Sequence, residues 1–367
     1  MFIAILIFLS LGLSYWAVSR DLPLNWEFAE PPKARTGGEP SHATLFDYQP
    51  VTGQAHSPSI VLTNTGFDVL WFEGSEEAQA DVDIYAACFE RKIGGWEETE
   101  RGVRLERGGL GAAMEPRQLV VTLGNTIENE ATGGLYATVV SVGGWAMASI
   151  ADVRAKGALW ARKLNLSPFI NRSHLVKSPM VKYADGSWGL PAYFEMGEAH
   201  SLLVRTDIDG RVRDTSRIDG FGKPIQPMIV PLDGERAVAF LRDFDPSGKL
   251  LIAHTADGGQ SWSEVTQTDL PNPSAPVATL SLEDGRILMV ANDGPDGGQR
   301  LSLLVSEDEG QTWTHLRIIE PNEAVARYPM LRVLPDGEIA FSYSFGAKTG
   351  IRVHVFNAAW ALSGDAA

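Results

Sequence analysis

The stretch TADGGQSW at residues 255–262 returns as SEDEGQTW at residues 306–313, 51 positions later. Both spell Ser/Thr, any residue, Asp, any residue, Gly, any residue, Ser/Thr, Trp. A phrase repeated near that period marks one supersecondary unit copied around a ring or along an array. Within it, Asp257 and Asp308 can accept from backbone N–H groups of their own turn, and Gly259 and Gly310 permit the tight backbone. Trp262 and Trp313 can pack back between strands. An Asx-type turn accounts for both acids fully, so they read as scaffold and the chemistry must lie elsewhere.

A second signal keeps the same period. Asp-Gly turns occur at Asp185, Asp233, Asp284 and Asp336, spaced by 48, 51 and 52 residues. Each precedes a strand-like run: SWGLPAYF, RAVAFLR, RILMVAN and EIAFSYS. Two looser turns, Asn64–Gly66 and Gly133–Gly134, precede FDVLWF and LYATVVSV. A turn flanked by apolar runs is a hairpin signal. Six of them at this spacing predict an all-β fold, a six-bladed β-propeller of four-stranded blades over residues 51–362. Helical periodicity is nearly absent. ASIADVRAKGALWA (148–161) reads either as a helix or as a degenerate copy of the phrase, and ERKIGGWEE (90–98) as another copy.

Composition narrows the function classes. A chain of 367 residues can bury a substantial core, and 37 Gly with 21 Pro suit many tight turns. The net charge of −15 argues against a nucleic-acid partner, although a locally basic pocket would still suit a small anionic ligand. The single cysteine, Cys88, excludes an intrachain disulfide and reads as a core residue. No Cys/His spacing predicts a metal, and no cofactor is expected. The first 18 residues, MFIAILIFLSLGLSYWAV, carry no charge. Residues 1–20 therefore read equally as a cleaved signal peptide or as an uncleaved anchor. Either predicts a body that is exported, periplasmic or extracellular, or attached to a membrane. Residues 21–50, with EFAEPPKARTGGEPS, read as a linker.

Residues 56–360 resemble the bacterial sialidase (neuraminidase) superfamily. The repeated phrase is that family's Asp-box, or BNR repeat, and RLSLLVSEDEGQTW, RYPMLRVLPDGEIAFSYS and GIRVHVFNAAW follow the order of its C-terminal third. The resemblance implies an exo-acting glycoside hydrolase for sialic acid or another acidic sugar. Such enzymes hold the substrate carboxylate with three arginines, attack with a Tyr activated by a Glu, and use an Asp as acid and base.

Carried over by position, Arg242 in AFLRDF matches the second arginine and Arg300, six residues before Ser306, the third. Tyr328 in RYPML matches the nucleophile. The first arginine's place is taken by His56 in HSPSIV, which as an imidazolium could still donate to a carboxylate. The Glu's place is taken by Gln226 in IQPMIV, which cannot accept a proton from a phenol. The acid/base falls in the loop after LWFEG, among Glu73, Glu76, Glu77, Asp81 and Asp83, with Glu77 and Asp81 preferred. NRSHLVKSPMV repeats the SP context of HSPSIV, so His56 and Lys177 are expected at equivalent places in two blades.

Inner-strand starts of a propeller converge beside its central channel. His56, Lys177, Gln226, Arg242, Arg300 and Tyr328 are thus expected to form a basic funnel for an acidic glycan. Asn125, Arg172, Glu195 and Asp243 stand in similar contexts, and Glu195 in AYFEMG is the best unassigned carboxylate for an acid or base role. The replacements at His56 and Gln226 suit two alternatives: action on a uronate-containing polysaccharide, or a catalytically silent propeller that binds glycan or protein.

Overall fold

Each of the six turn signals joins the first strand of a four-stranded antiparallel sheet to its second. The first strands are Gln54–Leu62, Thr122–Asn129, His174–Val176 with Val181–Lys182, Pro224–Pro231, Ala278–Leu282 and Arg327–Val333. They define blades 1 to 6 of a six-bladed β-propeller, as the hairpin spacing requires. The computed structural model describes residues 2–20, 23–167, 171–245, 247–294 and 298–364.

Two expectations are corrected. Residues 21–50 are not a plain linker. His42–Tyr48 is the outer strand of blade 6, paired antiparallel with Gly350–Phe356, and Lys33–Ala34 pairs parallel with the first strand of blade 5. The ring is therefore closed by a strand supplied from the N-terminal side of blade 1. Residues 148–161 form neither a helix nor an Asp-box: Ser149–Lys156 and Ala158–Lys163 are a β-hairpin that turns at Gly157, φ 77°. The N-terminal apolar run is the helix Phe2–Arg20, and among the described residues no helix is long and apolar enough to cross a membrane.

The two Asp-boxes lie between the third and fourth strands of blades 4 and 5 and repeat nearly bond for bond. Ser261 N donates to Asp257 Oδ1 over 2.9 Å and Gly259 N to Thr255 Oγ1 over 3.0 Å. In the second copy Thr312 N donates to Asp308 Oδ1 and Gly310 N to Ser306 Oγ, both over 2.8 Å. Each box also presses against the preceding blade. A Cβ on Gly259 would sit 2.6 Å from Leu203 Cδ2, and one on Gly310 2.4 Å from Phe240 Cζ. Both glycines have φ near 90°, so no other residue fits that seam without strain. Asp308→Ala should cost about 1–2 kcal/mol in chemical denaturation, from the loss of several hydrogen bonds, and leave ligand affinity at the channel unchanged.

A bulge recurs at the start of the first strands. The pairing register slips between His56 and Ser59, Leu123 and Thr126, Ile225 and Met228, and Arg327 and Met330. In three of these blades the bulge is a residue followed by Pro: Ser57–Pro58, Gln226–Pro227 and Tyr328–Pro329. Ser57, Gln226 and Tyr328 have φ of 54°, 52° and 59°. A non-glycine residue there costs about 1–2 kcal/mol, which the surrounding sheet must offset. Proline has no N–H, so the broken ladder leaves no donor unpaired at that point. The bulge re-aims its side chain, and here the aim is the channel mouth.

Candidate active site

The mouth is built from the starts of the first strands and the ends of the second strands, which lie side by side in each hairpin. Blade 6 contributes Arg327 and Tyr328, blade 4 Gln226 and Arg242, blade 3 Lys177 and Tyr193, and blade 1 His56 and Ser57. Arg242 ties blades 4 and 6 together. Its Nη1 donates to Gln226 Oε1 over 3.2 Å and to Tyr328 Oη over 3.4 Å, while its Nε donates to Ser274 Oγ over 3.0 Å. Gln226 Nε2 passes the network to Tyr193 Oη (3.3 Å), which also accepts from Asn125 Nδ2 (3.4 Å). Ser57 Oγ donates to Asn125 Oδ1 over 2.6 Å, so the network reaches around the mouth to blade 1.

Tyr328 is half-buried and gripped by what lies beneath it. The His56 ring meets its ring edge-on at 4.4 Å, and Lys177 Nζ lies 5.8 Å from its ring centroid. Lys177 Nζ donates to Pro329 O over 3.1 Å and, among the described residues, is in no ion pair. Burial pushes its ammonium down to about 7. Burial likewise holds His56 well below its ordinary value, and the positive charges of Lys348, Arg327, Lys177 and Arg242 add to the effect. His56 is therefore held as the neutral imidazole, and it packs against Phe72 as well as Tyr328. His56, Lys177 and Gln226 are all buried and form the floor; Tyr328, Arg242 and Arg327 form the accessible wall.

Arg327 was missed by sequence reading, although it adjoins Tyr328. Its Nη2 donates to Pro273 O (3.0 Å) and Ser274 O (2.6 Å), and burial lowers the basicity of its guanidinium. Arg300 Nε donates to Asp293 Oδ1 over 3.0 Å, and Arg300 has no hydrogen bond to Tyr328 or Arg242. His56, Ile225 and Arg327 are each the last residue in register before the slip, and Lys177, two residues before Pro179, lies in the interruption between the two segments of blade 3's first strand.

The expected acid/base residues part ways. Asp81 is turned onto Ser75, accepting from its N (3.0 Å) and its Oγ (2.9 Å). Glu77 pairs with Lys348 at the mouth. Glu73 accepts from Tyr48 (3.0 Å) and Trp71 (2.8 Å), and Asp83 pairs with Arg107. Arg172 donates to the Asn171 carbonyl, and Asp243 accepts from the backbone N of Lys223 and Asp245. Among the described residues no cluster of His, Cys, Asp and Glu could hold a metal. A separate cavity of about 800 Å³ opens at the far ends of the first strands, where Arg332 pairs with Glu128 and Glu130. Its lining runs back along the first strands to Pro179, Met228 and Leu331, close behind Lys177, Gln226 and Tyr328 in the chain.

Fold and mouth together define a sialidase-like propeller. Solved structures bear this out at the level of the fold. A Hadza microbial sialidase superposes with a TM-score of 0.64 at 14% identity, covering 82% of this chain and 65% of its own. A protein of unknown function from Dyadobacter fermentans gives 0.63 at 13%, covering 86% and 97%. Trypanosoma rangeli sialidase in complex with sialic acid gives 0.57 at 12%, covering 90% and 60%. The chain thus spans less than two thirds of the length of both sialidases. The chain belongs to the BNR repeat-like domain family, whose model matches residues 66–355. No curated protein matches it.

Proposed function

We propose that this chain is a sialidase-like glycoside hydrolase that takes the carboxylate of sialic acid or another acidic sugar, a uronate of a polysaccharide included, at the Tyr328 mouth. The observation that carries the reading is the Arg242 guanidinium on the Tyr328 hydroxyl, over a floor containing a lysine without a carboxylate partner among the described residues. Arg242 and Arg327 are the forks for a carboxylate, and Tyr328 is the nucleophile toward the anomeric carbon. The phenol has no Glu beside it, because Gln226 occupies that place and spends both ends of its amide on Arg242 and Tyr193. Cations replace part of what a general base would supply. Negative charge growing on Tyr328 Oη is met by Arg242 directly and by Lys177 from below. The apolar segment Phe2–Arg20 would deliver the body to a periplasmic, extracellular or membrane-attached setting, where such glycans occur.

One observation favours a second reading. Among the described residues no carboxylate is hydrogen-bonded to Tyr328, as would suit a propeller that binds an acidic glycan and leaves it intact. Fluorogenic sialosides and uronides incubated with purified residues 21–367 separate the two. Turnover of one acidic glycoside, lost in Arg242→Ala, is the expected result. Binding of an acidic glycan by calorimetry, without turnover of any glycoside, would establish the silent propeller instead.

A further inference from the structure

Two carboxylates stand within electrostatic reach of each other at the mouth, and they are held differently. Glu77 is neutralised by Lys348. Glu195 follows Tyr193 by two residues, so the alternation of an extended chain sends both side chains to the same face. Phe194 between them turns the other way, against His174 (5.5 Å) and His200 (5.1 Å). Tyr193 Oη is part of the mouth network, which puts Glu195 at the rim just above it. Its backbone is pinned: Glu195 N donates to Ser173 Oγ over 3.1 Å, and Ser173 is held at φ 63°. Its carboxylate, half-buried, takes part in no hydrogen bond or ion pair among the described residues. A carboxyl so placed, fixed at its root and unengaged at its tip, is arranged to meet something outside the chain.

We infer that Glu195 is the proton donor to the leaving glycosidic oxygen, the role that sequence reading placed in the blade 1 loop. The inference rests on the hydrolytic reading above. The groups facing it are Arg242, Glu77 with its partner Lys348, and Tyr193; His174 and His200 lie on the far face of the strand. Burial raises its pKa, Arg242 opposes that, and Glu77 reinforces it, so the proton is retained to higher pH than on an exposed Glu.

In the first half-reaction the Glu195 proton moves to the bridging oxygen as the bond from that oxygen to the anomeric carbon breaks. The electron pair goes to the oxygen, which departs as an alcohol. Tyr328 Oη bonds to the anomeric carbon and its proton passes to solvent. In the second half-reaction a water oxygen displaces Tyr328, which regains a proton from solvent, and Glu195 takes one proton from the attacking water.

The test uses the sugar that turns over, carried on two leaving groups: a methyl glycoside, which needs protonation, and a fluorinated umbelliferyl glycoside, which does not. Glu195→Gln should lower kcat/KM on the methyl glycoside by about 100- to 1000-fold and on the activated substrate by less than about tenfold. On the methyl glycoside the ratio of wild-type to variant kcat/KM should fall as pH rises through the Glu195 titration, a ratio in which the Lys177 titration common to both proteins cancels. Equal losses on both substrates, or a ratio that does not change with pH, would overturn the assignment alone. Absence of turnover by the wild-type chain would overturn it together with the hydrolytic reading. Thermal denaturation of the isosteric variant checks that the fold is intact.

Discussion

Tyr328→Phe should leave binding of an acidic sugar within about threefold of wild type and lower kcat by at least about a thousandfold. Phenylalanine keeps the ring that packs on His56 and faces Lys177, and it tolerates the left-handed backbone at this bulge no worse than tyrosine does. Arg242 keeps its bonds to Gln226 and Ser274, so the carboxylate fork stays in place. Only the oxygen is removed. Loss of turnover with retained binding would mark Tyr328 as the attacking group, whereas parallel loss of both would make it a binding residue. Steady-state kinetics on the turned-over glycoside and calorimetric titration with the free sugar measure the two quantities separately.

Lys177→Met should make the protein more stable by about 2–4 kcal/mol at pH 6 and impair its activity. The folded chain holds this ammonium at about 7, against an ordinary 10.5, because burial gives it no carboxylate in return. For a base whose pKa falls on folding, the unfolded chain binds more protons between those two values. Wild-type stability therefore rises with pH from about 7 towards 10.5, and the penalty is fully present below 7. The full difference corresponds to a ceiling of about 5 kcal/mol. Methionine fills the space without the charge, so the advantage of the variant should be largest at pH 6 and shrink by about 2–3 kcal/mol at pH 9. Urea denaturation at the two pH values measures this. An advantage that does not change with pH would mean that Lys177 is not bearing the cost of burial.

Much of this architecture was readable because turn chemistry is local. Asp233, Asp284 and Asp336 each announce a hairpin within a few residues, and the Asp-boxes at Asp257 and Asp308 carry their own hydrogen bonds. The outer strand His42–Tyr48 was hidden for the opposite reason. It lies beside a Pro- and Gly-rich stretch, and its partner Gly350–Phe356 is at the other end of the chain, so nothing nearby marks it as a strand. At the mouth, Gln226, Arg242 and Tyr328 follow from the family resemblance carried over by position, and the structure brings them into one hydrogen-bonded group. His56 and Lys177 both lie against Tyr328, yet their burial, and hence the neutrality of His56, depends on what stacks above them. The Arg300–Asp293 pair and the Glu77–Lys348 pair are side-chain choices between neighbours that no spacing encodes. Arg327 did have a signal: like His56, it stands two residues before a proline.

That proline step makes the mouth modular. Ser57, Gln226 and Tyr328 occupy one backbone socket repeated in three blades, each locked by its sheet and followed by a proline. Exchanging the occupant of a socket alters the chemistry offered to a ligand without asking the frame to move. The three residues read as a short word in which Tyr supplies an oxygen, Gln a relay and Ser a small hydroxyl. A carboxylate written into the second position would give the phenol a base, and a larger side chain in the first would narrow the channel from the side of blade 1. In this chain a change at one socket can thus be made on an unaltered scaffold.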